Sequence, residues 1–248
     1  MGGDDEAFDP CERSFPDVPS FVIARYPVTF REYLEFLNEV WQADAREAQK
    51  LLPAARGSDG FLVRFDSGLR KYVPDEILIE GAARDRYPEG RGLEWDLPII
   101  GVSFDDAISY ARWRSQREGV QYRLPSELEW EKAARGVDGR IFPWGNDFDA
   151  TFCKMMHSRP EHHQPEPVGV FRDDQSPWGA RDMAGGVREW VADFPDTDQP
   201  VHPDAQVCSL RGGAWNLDAN ACRLASRGRV LRVARLTSVG FRLVRSVN

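Results

Sequence analysis

Apolar residues recur at helical spacing in three places along the chain and alternate in four others. Phe21 to Tyr26 alternates as a strand that Pro27 stops. Thr29 with Glu32 forms a capping box for a helix whose Phe30, Tyr33, Leu34, Leu37 and Val40 share one face. Residues 43–56 read as ill-defined helix, 61–79 as a hairpin around Asp66-Ser67-Gly68, and 80–96 as charged loop. Ser103 caps a second helix, with Asp105 and Asp106 in its first turn, Ala107, Ile108, Ala111 and Trp113 inward, and Gly119 at its end. Ser126 and Glu129 open a third, closed by Gly136. A long irregular run follows Asn146, and strands are predicted over 187–194, 207–215 and 239–244. Helices early and strands late predict an α+β fold rather than parallel βαβ units.

The stretch from Leu217 to Ser238 obeys neither period. It is framed by Arg211-Gly212-Gly213-Ala214-Trp215-Asn216 before it and Gly240-Phe241-Arg242-Leu243-Val244 after it. Its apolar residues alternate irregularly with Arg223, Arg227, Arg229, Arg232 and Arg235, so part of them must be exposed or line a concavity. A binding surface is expected from Leu217, Asp218, Ala221, Leu224, Ser226, Gly228, Val230, Leu231, Val233, Ala234, Leu236, Thr237 and Ser238. The competing reading is a buried strand over 230–236, interrupted by Arg232 and Arg235.

Composition narrows the partners. The 248 residues carry 32 basic and 40 acidic side chains, a formal charge of −8, which excludes nucleic acid or an anionic membrane as general partner. An unidentified protein or small ligand at the 216–238 surface is the expected partner. No spanning segment or signal peptide is read, so the cytoplasm is the expected location. Without a Pro/Gly/Ser-rich linker, residues 15–248 are expected to be one domain, preceded by a loosely held acidic arm over 1–14. Cys11, Cys153, Cys208 and Cys222 lie far apart with no CxxC, which predicts free thiols. His157, His162 and His163 read as solvated loop residues. Glu127, Glu129 and Glu131 read as capping and solvated groups that do not converge on one centre, and Trp130, Trp144, Trp190 and Trp215 as core and loop anchors.

Seven motifs then occur in order: FVIARYPVTFREYLEFL from Phe21, GVSFDDAISYARW from Gly101, YRLPSELEWEKAARG from Tyr122, FPWGN from Phe142, DMAGGVREW from Asp182, RGGAWN from Arg211 and GFRLV from Gly240. Together they resemble the formylglycine-generating enzyme/sulfatase-modifying factor family. The resemblance implies a C-type lectin-like fold with two main helices, twisted antiparallel strands and much irregular loop. Oxidases of that family hold copper with two cysteines a few residues apart; the first position falls near Leu217 and Cys222 is the only thiol in that region, so no copper and no oxidase activity are expected. The relatives that build thiohistidines use iron bound through an additional helical domain, which is not read here. A structural Ca2+ is implied on the side chains of Asp182 and Glu189 and the carbonyls of Gly185 and Val187. The family's other calcium site falls near Cys153 and Lys154 and is expected to be lost.

The tail resembles the variable proteins of diversity-generating retroelements, in which asparagine codons between such frames are rewritten at their adenines. That rewriting cannot produce Lys, Glu, Gln, Met or Trp, and none of these occurs between Asn216 and Ser238. The implied function is a non-catalytic ligand-binding protein. The alternative is a formylglycine-generating enzyme-like regulatory or enzymatic module of the kind associated with kinases.

Overall fold

The computed structural model describes residues 1–54, 61–75, 93–159, 164–193 and 206–247. In chain order the elements are β1 (Phe21–Ile23), α1 (Phe30–Ala43), α2 (Ala45–Lys50), β2 (Val63–Asp66), β3 (Lys71–Pro74), a 3-10 turn (Leu93–Asp96), α3 (Phe104–Glu118), α4 (Glu127–Arg135), β4 (Arg188–Trp190), β5 (Val207–Arg211), β6 (Arg227–Leu231), β7 (Val239–Gly240) and β8 (Val244–Ser246). Helices early and short strands late give the α+β, C-type lectin-like architecture. The predicted loop over 80–96 lies mostly outside the described residues, as do His162, His163 and Phe194.

Three helices begin where their caps say. Thr29 accepts from the Glu32 amide while the Glu32 carboxylate accepts from the Thr29 amide; Ser103 with Asp106 and Ser126 with Glu129 repeat the arrangement. Each box satisfies two amides that the first helical turn leaves unpaired. Gly119 ends α3 in the left-handed region, at φ 68°, where a Cβ would be strained. α1 buries Phe30, Tyr33, Leu34, Phe36 and Leu37, and α3 buries Phe104, Ala107, Tyr110 and Ala111 against it. Tyr33, Phe36, Tyr110 and Phe241 interlock there, with ring centroids 5.4 to 5.9 Å apart. Full burial of one such side chain contributes roughly 1.5–3 kcal/mol. Phe241, from the GFRLV frame, thereby ties the tail to the helices.

The main sheet has the order β6-β5-β4-β7, with β5 antiparallel to both neighbours and β4 parallel to β7. β1 and β8 form a separate antiparallel pair, Phe21 facing Ser246. The strand expected over 207–215 stops at Arg211 because Gly212 turns to φ 79°. The strand expected over 239–244 is interrupted: β7 ends at Gly240 and β8 begins at Val244. β6 falls inside the stretch expected to be aperiodic, earlier than the competing 230–236 strand.

The arm is not loosely held as expected. The Gly2 amide donates to Glu131 Oε1 at 2.8 Å, Asp4 pairs with Arg223 at 2.8 Å, and the Phe8 carbonyl accepts from the Arg227 amide at 2.9 Å. The acidity that suggested a solvated tail supplies partners for arginines of the 217–238 stretch.

Candidate functional site

The site is built on buried ion pairs. Arg211, at the end of β5, is fully buried, pairs with Glu131 of α4 and donates to the Leu224 carbonyl at 2.8 Å. Glu131 also accepts from Arg135 at 2.8 Å. Burial alone would raise the Glu131 carboxyl, but Arg211, Arg135 and the Gly2 amide bring it below its ordinary value. Glu127 joins the same centre, 3.1 Å from Arg227. The glutamates of α4 therefore converge on arginines, contrary to the solvated role expected of them, and only Glu129 acts as the predicted cap. The pattern REW in β4, read simply as alternation, hides a second buried pair. Glu189 accepts from Arg242 at 2.7 Å on each oxygen and from Trp130 Nε1 at 3.1 Å.

That second pair bears on the calcium expectation. Both Glu189 oxygens face a guanidinium, and Asp182 Oδ2 accepts from the Gly169 amide at 2.7 Å. A cation on Glu189 would have to displace Arg242, which is itself fully buried. Asp182, Gly185, Val187 and Glu189 therefore do not fit as a Ca2+ donor set. Among the described residues no group of three or more His, Cys, Asp or Glu could hold a metal. The turn they form is instead organised by Asp174, which accepts from the amides of Met183, Ala184 and Gly185 at 3.0 to 3.1 Å. Burial and then the neighbouring Asp182 push Asp174 up to about 7; burial pushes Asp182 up to about 6, with the Gly169 amide and Arg242 opposing it.

The thirteen expected surface residues separate into two groups. Ala221, Leu224, Ser226 and Gly228 are buried, which corrects their assignment to a binding surface. Leu224 packs against Trp130 and Met183. Ser226 accepts from the Phe8 amide at 3.0 Å and donates to the Asn220 carbonyl. At Gly228 a Cβ would stand 2.0 Å from Arg188 and 3.3 Å from Leu210, so the position is fixed by packing. Sequence periodicity missed this because the neighbours that bury these residues come from the arm, α4 and β4, not from the stretch itself. The second group reaches solvent: Asp218, Leu231 and Val233 are exposed, and Leu217, Val230, Ala234, Leu236, Thr237 and Ser238 are half-buried. Asp218 caps its own turn by accepting from the amides of Asn220 and Ala221. Arg232 pairs with Asp105, and Arg235 pairs with Asp106 and donates to the Lys50 carbonyl at 2.7 Å. With these arginines drawn onto α3 and its surroundings, Leu231 is left 44% exposed and Val233 72% exposed.

The copper expectation rested on Cys222 standing alone. Cys153 comes from a distant segment to share a buried cluster with it. His157 is exposed and takes no part in that cluster.

Comparison with known proteins gives a consistent result. Residues 2–247 match the profile of the Sulfatase-modifying factor enzyme 1-like domain. The chain is 33% identical over 219 residues to the inactive C-alpha-formylglycine-generating enzyme 2 of Mus musculus, covering 80% of this chain and 64% of the relative. Among solved structures, PvdO from Pseudomonas aeruginosa superposes with a TM-score of 0.69 at 22% identity, covering 100% of this chain and 90% of that one. Treponema denticola variable protein 1 gives 0.53 at 20% identity, covering 64% and 74%. These likenesses establish the fold.

Proposed function

The chain belongs to the sulfatase-modifying factor enzyme 1-like family, and from that premise we infer that this member is a non-catalytic ligand-binding protein, a variable protein of a diversity-generating retroelement. The observation that carries the reading is Leu231 and Val233, two large apolar side chains held in solvent on a backbone pinned by Arg229–Asp9, Arg232–Asp105 and Arg235–Asp106. An anchored backbone with exposed apolar tips gives up little conformational freedom when a partner covers it. The ligand is a protein or small molecule with an apolar face. Asp218 and the half-buried Leu217, Val230, Ala234, Leu236, Thr237 and Ser238 form the rest of the proposed set. The mouse relative, named as inactive, supports a family member without turnover. Location in the cytoplasm is part of this proposal; among the described residues no helix is long and apolar enough to cross a membrane.

The test is genomic. A near-copy of the stretch coding for 216–238 should lie beside a reverse transcriptase gene, differing from it at adenines, with changes concentrated at 229–238 and absent at Gly228. No such copy, together with an unvarying tail in near relatives, overturns the reading. The second reading, a formylglycine-generating enzyme-like regulatory or enzymatic module, is favoured by the buried cluster that Cys153 shares with Cys222. Conversion of a cysteine in a sulfatase peptide to formylglycine, with copper supplied, would assign it.

A further inference from the structure

β1 is paired on one side only. The Ala24 amide donates to the Leu243 carbonyl at 2.9 Å and Val22 stands opposite Arg245, so these two positions face β8. By alternation the amides and carbonyls of Phe21 and Ile23 point the other way, and among the described residues none of these four groups has a partner. One rung further the outward side is in use: the Arg25 carbonyl accepts from the Arg181 amide at 2.7 Å. A ladder therefore starts at Arg25 and stops where the edge opens.

Beside this edge stands Trp178, 61% exposed. Its turn is closed by local bonds: Ser176 Oγ accepts from the amides of Trp178 and Ala180 at 3.3 and 3.2 Å, and the Ser176 amide donates to the Ala180 carbonyl at 2.8 Å. Pro177 packs so closely on the end of α4 that a Cβ at Gly136 would stand 2.9 Å from it. The indole lines two clefts. One, of about 230 Å3, it shares with Phe21, Ile23, Lys132 and Ala133; the other it shares with Ile23, Arg25 and Gln175. A tryptophan held in solvent on a fixed backbone offers a partner a large contact area at small entropic cost.

Charge selects the partner. The chain as a whole carries −8, yet among the described residues the two clefts are lined by Lys132 and Arg25 and by no carboxylate. Lys132 donates to the Val18 carbonyl at 2.6 Å and Arg25 lies over the Tyr26 ring, so both charges are left without an acidic partner among the described residues. Two copies of this chain meeting edge to edge would set one basic rim against another, which disfavours self-pairing. We propose that the outer edge of β1 takes an extended segment of a partner protein as a third strand. An apolar side chain of that segment sits against Trp178 and Ile23, and a carboxylate two residues away, on the same face, meets Arg25. Main-chain bonds supply the affinity and the clefts choose the side chains. These residues lie outside the 217–238 stretch, so the site does not rest on the reading above.

The test uses the full chain and two capped, fluorescently labelled peptides, Glu-Thr-Val-Thr-Val-Thr and the same residues in reverse order, which cover antiparallel and parallel addition. Fluorescence anisotropy at submillimolar protein should show binding of at least one. Methylating its backbone amides one at a time should weaken binding about two- to tenfold at alternate positions and leave the positions between them unchanged, because only every second amide of an added strand faces β1. Lysine in place of the glutamate should weaken binding, and Arg25→Glu should reverse that preference. Trp178→Ala should weaken it by more than about tenfold. Phe21→Pro, which removes an amide that faces away from β8, should weaken it more than Phe21→Ala. The peptide comparisons use the unsubstituted chain, so they decide the matter even if a variant fails to fold. Binding of neither peptide, equal loss at every methylated position, or equal affinity for the lysine and glutamate peptides would each overturn the proposal. So would a dimer in sedimentation that the peptide dissociates, which would assign the edge to a second copy of this chain.

Discussion

The two halves of the 217–238 stretch have similar composition and opposite fates. From Leu217 to Gly228 the chain turns inward, and Leu224, Ser226 and Gly228 are covered by α4, the arm and β4. From Arg229 to Ser238 the same mixture of arginine and aliphatic residues lies on an edge strand and the turn after it, with no layer of described residues over Leu231 or Val233. The difference lies in what the arginines meet. In the first half Arg223 reaches the buried Asp4 of the arm, and Arg211 closes over the Leu224 carbonyl. In the second half Arg232 and Arg235 are drawn sideways to α3, and the aliphatic residues between them turn to solvent. Partners elsewhere in the chain, rather than local pattern, decide which half can present a surface.

The sharpest way to break this contrast is a pair of truncations. Leu224→Ala should lower unfolding free energy by about 2–5 kcal/mol, whereas Val233→Ala should stay within about 0.5 kcal/mol, measured by urea denaturation. Equal effects would mean that the two halves are not differently packed. Next in size, Asp4→Ala leaves the partly covered Arg223 without its two-pronged acceptor and should cost about 1.5–3 kcal/mol, the usual range for hydrogen bonds to a charged group. Proteolysis within residues 1–14 should accelerate in that variant; an unchanged cleavage rate would show that the arm is held by other contacts.

A third test concerns pH. Asp174 organises the turn whose Ala184 carbonyl accepts from Gly213 behind the first half. Its folded value of about 7, and that of Asp182 near 6, lie above the ordinary 3.8, so the folded state favours their protonated forms. Their contribution to stability is full below the ordinary value and is lost as pH rises through about 6 and 7. Asp174→Asn should flatten the dependence of the urea midpoint on pH across that window. The same slope in the variant and the parent would refute the linkage.

Much of this organisation was legible in the chain. The three capping boxes place the helices because a box is a local device: donor and acceptor sit three residues apart and need nothing else. Trp130 and Trp190 are core residues as expected. What the chain did not reveal were pairings across long separations. Glu131 with Arg211, Glu189 with Arg242 and Asp4 with Arg223 each join residues whose polarity alone reads as solvent-facing. The calcium expectation did not foresee Arg242 on Glu189 for this reason. Cys153 and Cys222, far apart in the chain, likewise share one buried cluster. Gly228 carried a usable signal: a lone glycine between two arginines in a strand marks close backbone approach.

The pairing of β1 with β8 sets an order of events during synthesis. Phe21 finds its partner only when Ser246 is available, and Arg123 waits for Val244. Closing a loop of nearly the whole described chain costs entropy before any contact repays it, which makes such topologies slow to form. On the ribosome α1 and α3 can be helical while β4 waits for β5 and β7, and β1 stays unpaired until translation has passed β8. A nascent chain stalled before Val244 would therefore carry the open strand edge of β1, the kind of intermediate that chaperones retain.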